Sequence, residues 1–254
     1  AAFAKTQTIM DTTAMSALDM RQDILDLSAA SGMAATDVSE AVYQAISGSV
    51  ATADAANFVG KANQLAVAGF TSLSNATDVL TTTLNAYGLE ADAVSGISNV
   101  LIQTQNLGKT SVDELSASMG KAISTGSAYG VGLTNLSTAY VELTKGGIAT
   151  AEATTYISGM LNELGKSSSK VGKIIQEKTG KSFGQLMQDG WSLADVLDVL
   201  MQSVDGNSEA LMQLWSSQEA GKAANALAVQ GFDDFNNVLA KMEREMDGAA
   251  TTTK

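Results

Sequence analysis

Ser118-Met-Gly-Lys121 sets a hydroxyl and an amine one helical turn apart, a spacing that lets a lysine activate a serine for acyl transfer, and Lys178-Thr-Gly180 supplies the K-T-G triplet that accompanies it in acyl-enzymes. That chemistry needs an S-x-N between the two and a strand under K-T-G, and the chain offers neither. Gly130-Val-Gly132-Leu-Thr-Asn135 opens like a dinucleotide loop but has no third glycine and follows no strand pattern, so a turn between helices is expected. Asp205-Gly-Asn207-Ser-Glu209 offers oxygens at alternate positions, as a calcium loop begins, yet the rest of that pattern is missing and a solvated turn is expected. Glu163 and Asp189 stand among many scattered carboxylates, none paired by the sequence as acid and base, and each is expected to be surface charge. No catalytic, cofactor-binding or metal-ligating set is expected, and the chain does not read as an enzyme.

Composition narrows the classes further. With no histidine and no cysteine among 254 residues, the usual general base, the Ser-His-Asp triad, thiolate chemistry, disulfides and the common zinc sets are all absent. Twenty-seven acids against 15 bases give a formal charge of −12, which argues against a phosphate-neutralising surface and specific nucleic-acid binding. Against that background Lys166, Lys170, Lys173, Lys178 and Lys181 collect five of the 15 bases, with Glu177 the one acid between them. This segment is a candidate dock for an acidic partner, and Trp191 and Trp215, the 2 tryptophans, are candidate interface anchors or packing nuclei. No apolar stretch is long enough to span a membrane. The chain starts Ala-Ala-Phe without Met and ends Thr-Thr-Thr-Lys, as a piece of something longer would.

The elements that must carry these residues are helices. Proline is absent, apolar residues recur at helical spacing, and period-two alternation never persists. A first helix is expected to run to about Ala30, followed by segments that stop at Gly48, Gly69, Gly88, Gly108, Gly146-Gly147 and Gly165. Leu73, Ala76, Leu80, Leu84 and Tyr87 form an a/d seam that serves pairing within the chain or between copies. Ser111-Val-Asp-Glu114 and Ser192-Leu-Ala-Asp195 read as capping boxes. The expected fold is all-α, an irregular bundle of short antiparallel helix pairs entered by a longer N-terminal helix. Its expected division is residues 1–30 as the end of a long or coiled-coil helix, 31–165 as a helical core domain, and 166–254 as a C-terminal helical subdomain.

Several phrases resemble the core region of phage tail tape-measure proteins, also called minor tail proteins. They include Leu27-Ser-Ala-Ala-Ser-Gly32, Ala68-Gly69-Phe70-Thr71, Tyr87-Gly88-Leu89, Tyr129-Gly-Val-Gly-Leu133 and Lys145-Gly-Gly-Ile148. More specific are Phe183-Gly-Gln-Leu-Met-Gln-Asp-Gly190, Leu214-Trp-Ser-Ser-Gln-Glu-Ala-Gly221 and Met246-Asp-Gly-Ala249. The resemblance implies a structural virion protein, assembled in the host cytoplasm, that lies in the tail tube or tip, templates tube assembly and length, and is expelled with the genome. The partners it implies are tail-tube, tail-tip or baseplate and assembly-chaperone proteins together with further copies of the chain, with no cofactor and with membrane contact only during ejection. Frequent glycines and caps depart from a pure ruler, so a compact helical domain within, or at one end of, a longer coiled-coil molecule is expected. The competing class is a membrane-active module that helps DNA through the host envelope, but such helices want a basic polar face and large apolar residues.

Overall fold

The computed structural model describes residues 2–251, with side chains to 248. The described residues form sixteen α-helices, the first half being α1 (Ala2–Gln7), α2 (Ala17–Ser31), α3 (Ala35–Ser47), α4 (Ala55–Ala68), α5 (Leu73–Tyr87), α6 (Val94–Leu107), α7 (Val112–Ser118) and α8 (Gly120–Ala128). The second half comprises α9 (Leu133–Lys145), α10 (Thr150–Gly165), α11 (Lys170–Thr179), α12 (Phe183–Gln188), α13 (Leu193–Gln202), α14 (Ser208–Met212), α15 (Gln218–Gln230) and α16 (Phe232–Thr251). The described residues contain no strand.

One joint recurs. At seven helix ends the backbone N–H of one residue reaches back to the carbonyl five positions earlier: Val50 to Ala45, Thr71 to Ala66, Leu89 to Leu84, Val131 to Gly126, Ile148 to Leu143, Trp191 to Leu186 and Gly206 to Met201. This closing bond of a Schellman motif forces the preceding residue into the left-handed region. Glycine fills that place at 88, 130, 147 and 190, whereas Ser49, Phe70 and Asp205 fill it at the other three and are the non-glycine residues with positive φ. After three of these joints a polar side chain caps the next helix: Ser72, Ser192 and Asn207. Ser111 with Glu114 and Ser192 with Asp195 form the expected capping boxes, and Ser182 with Gln185 forms a third. Turns that close a helix and reopen the next within a few residues fold the chain back on itself repeatedly.

Helix α9 is the centre. Ten of its 13 residues are buried, Tyr140 among them, and its neighbours are α6, α8, α10, α15 and α16. Helix α10 packs against α7, α8 and α9 on the N-terminal side and against α15 from the C-terminal part, while α16 returns to lie along α6. The seam of α5 is spent inside the chain: Leu73, Ala76, Leu80 and Leu84 are buried, and the Tyr87 hydroxyl donates to the Val131 carbonyl at 3.0 Å. The accessible surface, 11379 Å² for 26.1 kDa, is close to the roughly 10,600 Å² of a compact monomer of that mass.

The N-terminus differs from the single helix expected to Ala30. It is two helices, α1 and α2, because Asp11 breaks the chain between them. Its carboxylate accepts the Thr13 N–H at 2.9 Å and the Thr13 hydroxyl at 2.6 Å, and its own N–H donates to Thr52 Oγ1 at 2.9 Å. A short side chain that satisfies the backbone locally competes with helix. Both helices fold onto α3, with Lys5 pairing Glu40 at 3.4 Å and the Thr6 hydroxyl donating to the Ser39 carbonyl at 3.2 Å.

Candidate functional site: a basic cleft

The lysine-rich segment builds one side of a cleft between α11, α12 and α13. Helix α11 opens at Ser169, whose side chain accepts the Gly172 N–H, and buries Val171 and Ile175, which leaves its lysines outside. It stops at Gly180, φ 74°. Two capping boxes in succession, at Ser182 and Ser192, then turn α12 and α13 back across its end. The result is a cleft of about 460 Å³ walled by Leu186, Trp191 and Val199 and rimmed by Lys178, Lys181 and Gln202. Cations standing over an apolar wall can take a carboxylate-bearing segment that also presents an apolar group.

Placement of the singled-out lysines divides them. All five are exposed, and Lys178 and Lys181 reach the cleft. Lys181 pairs with Asp189 at 2.7 Å across the rim, so Asp189 is a paired surface carboxylate. Lys170 donates to the Gln213 carbonyl at 3.4 Å and ties α11 to the α14–α15 connection. Residues 166–181 carry five bases and one acid, a local +4, so the remainder of the chain carries −16. A segment opposite in sign to the rest of the chain favours acidic partners.

The two tryptophans part company. Trp191 is half-buried at the cleft, while Trp215 is 7% exposed, packed beside Gly221 in the connection to α15, its indole N–H without a partner. The structure therefore places Trp215 among the packing residues.

Glu163 departs from the surface charge expected of it. It is 9% exposed, and its carboxylate accepts the backbone N–H groups of Ser216 at 2.8 Å and Ser217 at 2.9 Å. Burial pushes its pKa up, but the bonds from Ser216 and Ser217 outweigh this and hold it below the ordinary value. A carboxylate on α10 thus fastens the residues just before α15, where the amides at a helix start welcome negative charge. A partner 53 positions away leaves no periodic signal in sequence.

The remaining motifs are absorbed by local structure. Ser118 donates to the Glu114 carbonyl at 2.7 Å, Lys121 is exposed on the next helix, and Thr179 of the K-T-G triplet donates to the Ile175 carbonyl at 2.7 Å. Gly130, φ 78°, makes the turn from α8 to α9. Asn207 Oδ1 accepts the Ala210 N–H at 3.0 Å and caps α14, and the described residues hold no group of three carboxylates that could hold a metal.

Comparison with known proteins agrees with an all-helical tail component. The phage-related minor tail protein family matches residues 21–214. A curated relative of Clostridium phage phiCD119, described as "Probable tape measure protein", is 33% identical over 256 residues, which covers 97% of this chain and 27% of the relative. The chain therefore spans about a quarter of that relative's length. No solved structure matches. With the family model covering most of the chain and this relative matching nearly all of it, the chain belongs to the phage-related minor tail protein family, whose role in the tail is structural.

Proposed function

We propose that this chain is a folded docking domain of a tape-measure polypeptide: it attaches the length-setting part of the ruler to other tail proteins and adds little length itself. The observation that carries this reading is compactness. The longest helix, α16, has 20 residues, and the surface is that of a globule rather than a rod. A ruler measures with continuous helix, at about 1.5 Å per residue, and this chain closes a helix at every Schellman joint. The rest of the polypeptide would then template the tube, and the whole would sit in the virion tail after assembly in the host cytoplasm and leave with the genome at infection.

The basic cleft is the contact we assign to this domain. Lys178 and Lys181 over Trp191 suit an acidic segment of a tail-tube, tail-tip or assembly-chaperone protein. The membrane reading draws no support, since no helix of the described residues is long and apolar enough to cross a bilayer.

The test is tail length by electron microscopy after in-frame deletion of residues 17–248, which span the bundle from the start of α2 to the last turn of α16. As extended helix those 232 residues would account for about 350 Å. Tails of unchanged length that initiate poorly or fail to infect are expected; tails about 350 Å shorter would show that the segment measures, and would overturn the reading.

A further inference from the structure

The rim of the basic cleft carries an ion pair that the fold does not need. Lys181 and Asp189 flank the six-residue helix α12 and meet at 2.7 Å, their side chains 52% and 45% exposed. That helix is already fastened at both ends. The Ser182 and Gln185 box caps its start, and the Trp191 N–H donates to the Leu186 carbonyl at 3.0 Å to close it. An exposed pair adds at most about a fivefold factor to an equilibrium of this kind. Its effect falls on the cleft instead. Of the two lysines at the rim, Lys178 has no ion-pair partner among the described residues, whereas the charge of Lys181 is already answered by Asp189.

The backbone of Lys181 is held while its side chain is not. Its N–H donates to Thr179 Oγ1 at 3.2 Å, and the Thr179 hydroxyl reaches the Lys181 carbonyl at 3.2 Å. A fixed backbone leaves a flexible four-carbon stem free to carry the ammonium between Asp189 and a ligand in the cleft. We propose, resting on the assignment of this cleft as a docking surface, that Asp189 is an internal competitor for Lys181: it holds the ammonium in the free domain, and an acidic segment docks fully only by putting its own carboxylate in the place of Asp189.

The ligand this arrangement fits has carboxylates on both sides of an apolar side chain. The apolar group lies against Leu186, Trp191 and Val199, the first carboxylate meets Lys178, and the second exchanges with Asp189 at Lys181. Replacing one carboxylate by another on the same ammonium is close to neutral, so an isolated acid gains nothing there. A second acid on a segment already held at Lys178 competes at high effective concentration and wins the exchange. The exposed Asp189 then returns to water. Docking is thereby weakened and kept reversible, while the +4 charge of residues 166–181 still draws acidic segments in from a distance. Glu177, the acid on α11, has no ion-pair partner among the described residues, so it repels a ligand without holding a lysine.

The experiment follows the anisotropy of a fluorescein-labelled peptide, Glu-Glu-Leu-Glu-Glu behind a Gly-Ser spacer, as the 254-residue chain is added to about 1 mM at about 50 mM salt. The chains compared are the native protein, Asp189→Asn, Glu177→Gln, Lys181→Gln and the double variant Lys181→Gln with Asp189→Asn. Asp189→Asn is expected to bind about two to five times more tightly than the native chain, and more tightly than Glu177→Gln, which removes the same charge without freeing a lysine. In the Lys181→Gln background the gain from Asp189→Asn should shrink to the size of the Glu177→Gln effect. All four variants should melt within about 2 °C of the native chain, because each altered side chain is exposed. Binding by the native chain with no gain in Asp189→Asn, a gain equal to that of Glu177→Gln, or a gain that survives undiminished in Lys181→Gln would each overturn the competitor and leave the cleft as the docking surface. No binding by any chain at about 1 mM would overturn the docking reading of the cleft, and the competitor with it.

Discussion

Glu163→Gln tests the central joint of the fold. The native carboxylate accepts two backbone N–H bonds, from Ser216 at 2.8 Å and Ser217 at 2.9 Å, with a residue exposure of 9%. Glutamine is nearly isosteric but has one acceptor. Its oxygen can keep one of the two bonds, while its NH₂ group faces the other N–H as donor against donor. Hydrogen bonds to a charged acceptor contribute about 1.5–3 kcal/mol each, and because Ser216 is exposed and its freed N–H can reach water, a loss near the low end, about 2 kcal/mol, is expected. For a domain of this size that lowers the melting temperature by about 4–8 °C. The sign with pH is fixed by the lowered pKa: the folded state holds the proton less tightly than the unfolded chain, so the stabilisation is present above the ordinary value near 4.5 and is lost as pH falls through the folded value. Calorimetry of both chains at pH 7 and at about pH 3 measures this, and the gap should shrink at the lower pH. In a Trp191→Phe background Trp215 is the remaining tryptophan, and its emission should shift to the red in Glu163→Gln as the connection before α15 loosens. A gap below about 2 °C at pH 7, or one that is unchanged at about pH 3, would refute the argument that this carboxylate fastens α10 to α15.

Other outcomes follow from the same geometry. Gly60→Ala places a methyl 3.6 Å from Leu27 Cδ1 within α4, an ordinary contact, and should raise the melting temperature by about 2–4 °C through helix propensity. Gly165→Ala puts a methyl 2.1 Å from a Tyr129 ring carbon and should destabilise by about 1–3 kcal/mol, read by urea denaturation. The double change Lys178→Glu with Lys181→Glu should leave the melting temperature within about 2 °C, since both side chains are exposed and the Lys181–Asp189 pair lies on the surface, yet it should abolish capture of acidic tail proteins from assembling tails. Capture at native strength by that variant would remove the cleft from the docking reading.

Local structure in this chain is written locally. Ser111 with Glu114 and Ser192 with Asp195 announce helix starts because capping joins residues three apart, and both boxes form. The apolar rows of α5 and α13 show which face is buried, since that face depends only on the helical period. With neither histidine nor cysteine in it, the composition itself removes imidazole and thiol chemistry. What covers each buried face is a different matter. Nothing in the a/d row from Leu73 to Tyr87 says that its partners are α3, α4, α7 and α8 of the same chain, because a seam is equally satisfied by a second copy. Glu163 looks like any other acid until α15 arrives beside α10, and Trp215 reads equally as an interface anchor or a packing residue until it is seen beside Gly221 of the same helix. The lysines at 178 and 181 come to line one cleft with Trp191 only when two capped turns carry that tryptophan across the end of α11. Side-chain periodicity reports the few residues that a helix itself brings together, whereas burial of a charge and the walls of a cleft depend on chain segments tens of residues apart, which only tertiary packing joins.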